Sequence, residues 1–171
     1  MTPEFSRTYR LDELGNAPRA VTIAATEAER IKLAQRFELI AIGRLEATAE
    51  LVRDGEIVIA TGKLKAEVVQ ACVASGEPVP AMIAEDFALR FVREATGDAA
   101  EDVELDESDL DEVGYEGSAV DLGEVAAQTL ALALDPFPRA PGADEQLRAA
   151  GVVGEEDVGP FAALKVLKDK L

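Results

Sequence analysis

The stretch Leu39–Val73 reads LIAIGRLEATAELVRDGEIVIATGKLKAEVVQACV, two long alternating runs that meet at Asp54-Gly55. An Asp-Gly pair between such runs is typical of a β-hairpin with a two-residue type I′ turn. If Arg53 pairs with Glu56, the apolar side chains of both runs share one face. A slip of one residue would point the apolar side chains of one run toward the solvent. This register predicts the pairs Leu45–Leu64, Ala47–Gly62, Ala49–Ala60 and Leu51–Val58 on the apolar face, with Glu46 opposite Lys63 on the polar face.

The composition predicts one soluble domain that spans residues 1–171, because 48% of the residues are hydrophobic, enough for one core. The 34 acidic and 17 basic residues give a formal charge of -17. Such a surface repels phosphate backbones and anionic lipid headgroups, so we expect no direct binding to bare nucleic acid and no membrane association. The lone cysteine, Cys72, and the lack of an apolar signal segment near the first residues predict a cytoplasmic location.

The other periodic segments predict an α+β fold. Alternating residues indicate short strands at 4–10 and 19–25 and a third long strand around Ile83–Phe91, while Gly76, Pro78 and Pro80 indicate a connection. Thr26 and Glu29 form a capping-box pattern that starts a helix to about Phe37. We therefore expect a curved, mostly antiparallel sheet built on the long hairpin, with two or three packed helices, including those from about Thr26 and Val120.

Residues 94–138 contain no lysine or arginine, and acidic residues crowd the first half of this segment. Repulsion between like charges, with few apolar anchors, predicts that residues 94–116 are a mobile, flexible segment. This acidic segment could hold a basic protein by mimicking nucleic acid, or it could be a passive solubilising linker. Charge alone leaves both interpretations open.

The last third of the chain contains the predicted partner contacts. Ser118 is a plausible N-cap of a helix whose second half is apolar nearly all round, although its end, LALAL, would also suit a strand. Prolines stiffen the arm that follows, and residues 159–171 form a short amphipathic pattern with lysines at its end. Both parts could close the core or bind a partner. The predicted partner contacts are Leu130, Leu134, Phe137, Arg139, Phe161, Leu164, Lys165 and Lys168.

The sequence predicts no catalytic, metal-binding or cofactor-binding residues. The chain has no histidine, the commonest general base and metal ligand. Cys72 lies among apolar residues of a predicted strand, which favours a buried structural thiol over a nucleophile. The segment from Asp109 lacks oxygen ligands at calcium-loop positions, and Gly62-Lys63 is followed by leucine where a phosphate-binding loop needs serine or threonine. We therefore do not expect an enzyme.

Several segments in a fixed order resemble the YceD family, the large ribosomal RNA subunit accumulation proteins. These are Cys72 with Gly76–Val79, the strand Phe87–Phe91, the acidic spacer, Val120–Glu124 running into Leu130–Leu134, the arm Pro136–Arg139, and Pro160–Leu164 with Leu167-Lys168. The resemblance implies a non-enzymatic bacterial or organellar factor needed for accumulation of large-subunit ribosomal RNA. Its partner would be a ribosomal protein or a pre-ribosomal large-subunit particle, and no functional residues carry over from the family.

Two other classes of function stay open. A small-molecule or lipid-pathway regulator could bind its ligand on the concave face of the sheet, and it would show a closed apolar pocket. An enzyme with a carboxylate-only site would instead need two acids that converge on a cleft.

Overall fold

Strands make up most of the regular structure in the computed structural model, which describes residues 3–94 and 110–152. The α+β class is confirmed, and the first predicted strand, at 4–10, is reduced to its last three residues. The prolines expected in a connection instead begin the third long strand. The strands are β1 (Thr8–Arg10), β2 (Arg19–Ala24), β3 (Ala41–Asp54), β4 (Ile57–Ala71), β5 (Pro78–Arg93), β6 (Asp111–Tyr115) and β7 (Ala119–Asp121); the helices are α1 (Glu27–Arg36), α2 (Leu122–Ala133) and α3 (Ala143–Ala149), with a 3-10 turn at Leu11–Glu13.

The main sheet has five strands in the order β2-β3-β4-β5-β6, and β1 pairs with β7 in a separate two-stranded sheet. The β2–β3, β3–β4 and β1–β7 pairs are antiparallel, whereas β5 and β6 are parallel. The predicted mostly antiparallel sheet, built on the long hairpin, is therefore confirmed.

The hairpin register differs from the predicted one by two residues. Arg53 pairs with Val58 instead of Glu56, and Asp54 pairs with Ile57. The two turn residues are therefore Gly55 and Glu56, and of these only Gly55 has a positive φ, 62°. A positive φ at the first central residue alone matches a type II′ turn, so the type I′ prediction was wrong.

The predicted division of the hairpin into two faces is correct, because a two-residue shift returns every side chain to the same face. Leu45, Leu51, Val58 and Leu64 are all buried at 1% exposure or less. The charged pairs do change with the register: Glu46 lies opposite Lys65 rather than Lys63. The buried hairpin residues join those of β2, β5, α1 and α2 in one hydrophobic core.

Helix α1 begins as predicted. The Thr26 hydroxyl accepts a hydrogen bond from the Glu29 amide, and the Glu29 carboxylate accepts one from the Thr26 amide, which completes a capping box. At the other end, the Leu39 amide donates to the Ala34 carbonyl across 2.8 Å, and Glu38 has a φ of 55°. This arrangement is a Schellman motif with glutamate at the left-handed position that glycine usually occupies.

Helix α2 begins three residues later than predicted, since its N-cap is Asp121 and not Ser118. Val120, just before the cap, is the partner of Tyr9 in the two-stranded sheet, which keeps this segment extended. The helix continues to Ala133, and Leu134 is its C-cap. The first four residues of LALAL are therefore helical, and its last leucine ends the helix.

The acidic segment is partly ordered, because residues 111–115 form β6. The prediction of mobility over 94–116 was therefore wrong for this part, and residues 95–109 lie outside the described residues. Tyr115 is buried and its hydroxyl donates to the Glu56 carbonyl, while Glu112 forms an ion pair with Arg90 of β5. Val113 also packs against the core, so two core-facing side chains and a cross-strand charge pair hold this short strand.

By its contacts the chain divides into two compact units, residues 1–70 with 80–135, and residues 71–79 with 136–171. The first unit contains the hydrophobic core described above. In the described part of the second unit, Cys72 packs with Ala140 and Ala143, and α3 includes Leu147. The predicted helix at 159–171 lies outside the described residues.

Candidate functional site

Asp121 is the most heavily bonded carboxylate of the segment Val120–Glu124. It accepts hydrogen bonds from the amides of Gly123 and Glu124, at 2.9 and 3.3 Å, which cap α2. It also accepts one from the Ser6 hydroxyl at 2.6 Å and one from the Arg7 amide at 2.8 Å. These bonds hold the amino-terminal segment against the start of α2, so this carboxylate is committed to structure.

The neighbours of Asp121 have the same structural role. A Cβ atom at Gly123 would lie 2.7 Å from the Arg7 nitrogen and 2.8 Å from the Phe5 carbonyl oxygen, so only glycine allows the backbones to approach this closely. The Glu124 carboxylate hydrogen-bonds the Arg36 guanidinium at 2.8 Å, which raises the pKa of Arg36. The segment is therefore a structural junction that joins α1, α2 and the amino-terminal segment.

Arg7 and Glu29 form a second bond network in the same unit. The two terminal guanidinium nitrogens of Arg7, Nη1 and Nη2, donate to the Glu29 carboxylate, at 2.7 and 2.9 Å. These hydrogen bonds, with the Thr26 cap, lower the pKa of Glu29 to about 2. The bidentate geometry makes this the strongest kind of charged contact on a protein surface.

Cys72 lies in the turn after β4 and not in a strand as predicted, because β4 ends at Ala71. The thiol is buried, which agrees with the structural interpretation. The Ala140 amide donates to its sulfur at 3.3 Å; this bond and one from the Ser75 hydroxyl lower the pKa of the thiol to about 7. The Val73 amide also donates to the Pro138 carbonyl, so Cys72 and its neighbour hold the arm beside the turn.

A groove on the first unit crosses the middle of strands β2 to β5. Its volume is about 580 Å³, it is open to solvent, and the Lys63–Asp86 ion pair of 3.3 Å lies along it. The volume is in the range of small-molecule sites, but the groove is not the closed apolar pocket expected of a ligand carrier. The residues that line it include Val21, Thr48, Ala49, Gly62 and Phe87.

A second groove on the first unit, named here the β5–α2 groove, lies between one edge of β5 and the last turns of α2. It is lined by the consecutive residues 85–89, by Asp111 at the start of β6, and by Thr129, Leu132 and Ala133, and it encloses about 280 Å³. Sequence reasoning missed this site. The adjacent acids Glu85-Asp86 and the apolar end of α2 were visible, but nothing in the sequence placed them together.

The predicted partner contacts fall in different environments. Leu130 is completely buried in the first unit, and Leu134 is partly buried against the same core. In the second unit Phe137 is 71% exposed, and Arg139 forms an ion pair with Asp144. Phe161, Leu164, Lys165 and Lys168 lie outside the described residues.

Within residues 3–94 and 110–152, no three histidine, cysteine or acidic side chains are grouped as a metal site would require. No helix in the same ranges has the length and apolar character needed to cross a bilayer.

A protein-family model described as large ribosomal RNA subunit accumulation protein YceD matches residues 60–168. The match covers more than half of the chain, from near the start of β4 through α2 and α3. No curated protein and no solved structure matches the chain.

Proposed function

Because the chain belongs to the YceD family of large ribosomal RNA subunit accumulation proteins, we propose that it is a non-enzymatic, cytoplasmic factor that acts by binding protein or ribonucleoprotein of the pre-ribosomal large subunit. The part of this proposal that concerns accumulation of large-subunit ribosomal RNA comes from the family description. The charges of this chain favour protein contacts over contacts with bare RNA as the mode of action.

The observation that supports contact with protein is that most of the described basic residues already pair with acidic residues of the same chain. Among the described residues, nine of the fourteen lysines and arginines form ion pairs with carboxylates of the same chain. A cation already paired in this way gains less from a phosphate, and the formal charge of the whole chain is -17. A basic protein is therefore a better partner for this surface than an RNA backbone.

Two measurements test this mode of action. In cell extracts, the tagged protein should co-sediment with large-subunit precursors on a density gradient, and its depletion should lower the ratio of large- to small-subunit ribosomal RNA. In a filter-binding assay, the purified protein should not retain naked large-subunit RNA at physiological ionic strength. Tight binding to naked RNA, or absence from ribosomal fractions, would refute the proposal.

We propose Phe137 and Arg139, with Phe161, Leu164, Lys165 and Lys168, as partner contacts of the second unit. Aromatic side chains, phenylalanine included, and arginine are enriched at protein–protein interfaces relative to the rest of the surface. Leu134 is a further proposed contact on the first unit, whereas the completely buried Leu130 has no surface to offer.

The paired variants Phe137→Ala and Phe161→Ala separate binding from stability. We expect both to lose ribosomal association while the melting temperature stays unchanged. Leu130→Ala is the control, since emptying a core leucine site costs about 2–5 kcal/mol of unfolding free energy. Normal association of both phenylalanine variants would remove these residues from the contact surface.

A second candidate function rests on the open groove across β2 to β5, whose volume of about 580 Å³ suits a small ligand. In that case the protein would be a regulator that binds a small molecule or a lipid-pathway intermediate. Native mass spectrometry of the protein purified from its own cells tests this candidate. A ligand that is retained by the wild type and lost in a Thr48→Trp variant would support it.

A further inference from the structure

We propose that the β5–α2 groove binds an extended, lysine- and arginine-rich segment of a partner protein, which adds as a strand to the edge of β5 that has no partner strand among the described residues. This inference deepens the proposed function, on which it rests for the biological source of the segment. The groove belongs entirely to the first unit.

The first observation is an unpaired stretch of strand. β6 pairs with β5 only from Leu89 to Arg93, so among the described residues no strand lies against this side of β5 between Pro80 and Ala88. Successive residues of a strand point to opposite faces of its sheet. Five consecutive residues, 85–89, line the groove together with Asp111 at the start of β6, so the groove runs beside this part of β5. The edge thus presents backbone donors and acceptors to an incoming strand.

The second observation is the charge of the groove. Glu85, Asp86 and Asp111 line it, and no lysine or arginine does. The carboxyl end of α2 adds the negative end of a helix dipole, and the last turn of α2 contains no basic residue to offset it. Of these acids, Asp86 has a cation nearby, the Lys63 ammonium at 3.3 Å. The groove therefore favours a cationic occupant.

The third observation is an apolar contact at the rim. The Leu132 side chain is 88% exposed although it lies on the helix that covers the core. Glu85 lies on the same face of β5 as the buried Phe87 and Leu89, because side chains of a strand alternate, and Asp111 lies opposite Leu89 on that face. A lysine of the incoming segment on this face can pack its aliphatic stem against Leu132 while its ammonium group meets the two acids. Like-charged edges repel each other, so the same acids disfavour pairing of β5 with a second copy of this chain.

The test uses the purified full chain and a short synthetic peptide in which lysine and valine alternate, labelled for fluorescence anisotropy. We expect binding to the wild type that weakens as salt is added. Leu132→Arg and the double variant Glu85→Lys/Asp111→Lys should each raise the Kd by roughly tenfold or more, at unchanged melting temperature, since like charges then face the peptide. The controls are Ile31→Arg, on an exposed apolar residue of α1, and Glu50→Lys, on the polar face of the hairpin.

An N-methylated form of the same peptide keeps every charge and side chain but lacks backbone donors. It should fail to bind if the segment adds as a strand. Equal binding of both peptides, or equal loss in the control variants, would reduce the effect to general charge attraction and overturn the proposal. A wild type that sediments as a dimer, and becomes monomeric in Leu132→Arg, would assign the groove to a second copy instead.

The peptide assay contains no ribosomal component, so its outcome is independent of the proposed function. If the peptide binds as expected while the protein is absent from ribosomal fractions, the groove assignment stands and the proposed function fails. If the protein co-sediments with large-subunit precursors equally well with and without Leu132→Arg, the function stands and the groove is not its contact.

Discussion

The substitution Gly62→Ala tests whether close backbone approach organises the hairpin. Gly62 faces the core side of β4 and pairs with Ala49. A Cβ atom there would lie 2.1 Å from the Thr48 carbonyl oxygen, 2.8 Å from the Phe87 Cζ atom and 2.9 Å from the Ala49 Cα atom. Two of these three are backbone atoms of the neighbouring strand, which no change of rotamer can move. The alanine variant must therefore shift the backbone of β3 as well as the Phe87 ring.

Overpacking of this kind costs about 1–3 kcal/mol of unfolding free energy. The loss of chain entropy in the unfolded state returns about 0.4–1 kcal/mol, so the clash dominates. For a domain of this size each kcal/mol corresponds to about 2–4 °C in melting temperature. Gly62→Ala should therefore melt several degrees below the wild type.

Gly43→Ala is the matched control in the same hairpin. Gly43 lies where the register shifts between Ile42 and Arg44, and its added Cβ would meet only Glu67 atoms at 3.7–3.8 Å, which is ordinary contact. This variant should be as stable as the wild type or more stable by up to about 1 kcal/mol. Thermal and urea unfolding followed by circular dichroism measure both. Equal stability of the two alanine variants would refute the packing argument.

Three further predictions concern single groups. Glu38→Gly should raise the unfolding free energy by about 1 kcal/mol in urea titrations, because it removes both a left-handed non-glycine residue and a negative charge at the carboxyl end of α1. The hydrogen bonds from Arg7 lower the pKa of Glu29 to about 2, so its stabilising contribution is full above pH 4.5 and is lost as the pH falls toward 2. Glu29→Gln should flatten the stability profile in that window, and a slope equal to that of the wild type would contradict the assignment. The Cys72 thiol should titrate near pH 7 by absorbance at the thiolate band, and because its pKa is lowered from 9.0, the unfolding free energy should rise between pH 7 and 9. Ser75→Ala should move this titration to higher pH, and an unchanged titration would exclude the hydroxyl as a donor to the sulfur.

Local patterns were enough to predict several elements. The alternation in Leu39–Val73 predicts which residues of the hairpin are buried, since side chains in a strand have a period of two. The capping box at Thr26 predicts the start of α1 because both hydrogen bonds form within one turn. These features depend on residues close to one another in the chain, and the sequence contains them directly.

The register and the candidate groove depended on the tertiary structure. A two-residue shift of the hairpin keeps every side chain on its face, so the hydrophobic pattern could not distinguish the two registers. The geometry of the turn at Gly55 determines which register forms. A parallel partner for β5 needs a long crossover, and the seventeen residues 94–110 supply it, but their acidic composition concealed the strand that follows. Asp121 also accepts a hydrogen bond from Ser6, a contact between residues 115 positions apart that the pairing of β1 with β7 brings together. The β5–α2 groove likewise joins residues from two strands and a helix, and no local pattern encodes their proximity, because only long-range packing brings those segments together.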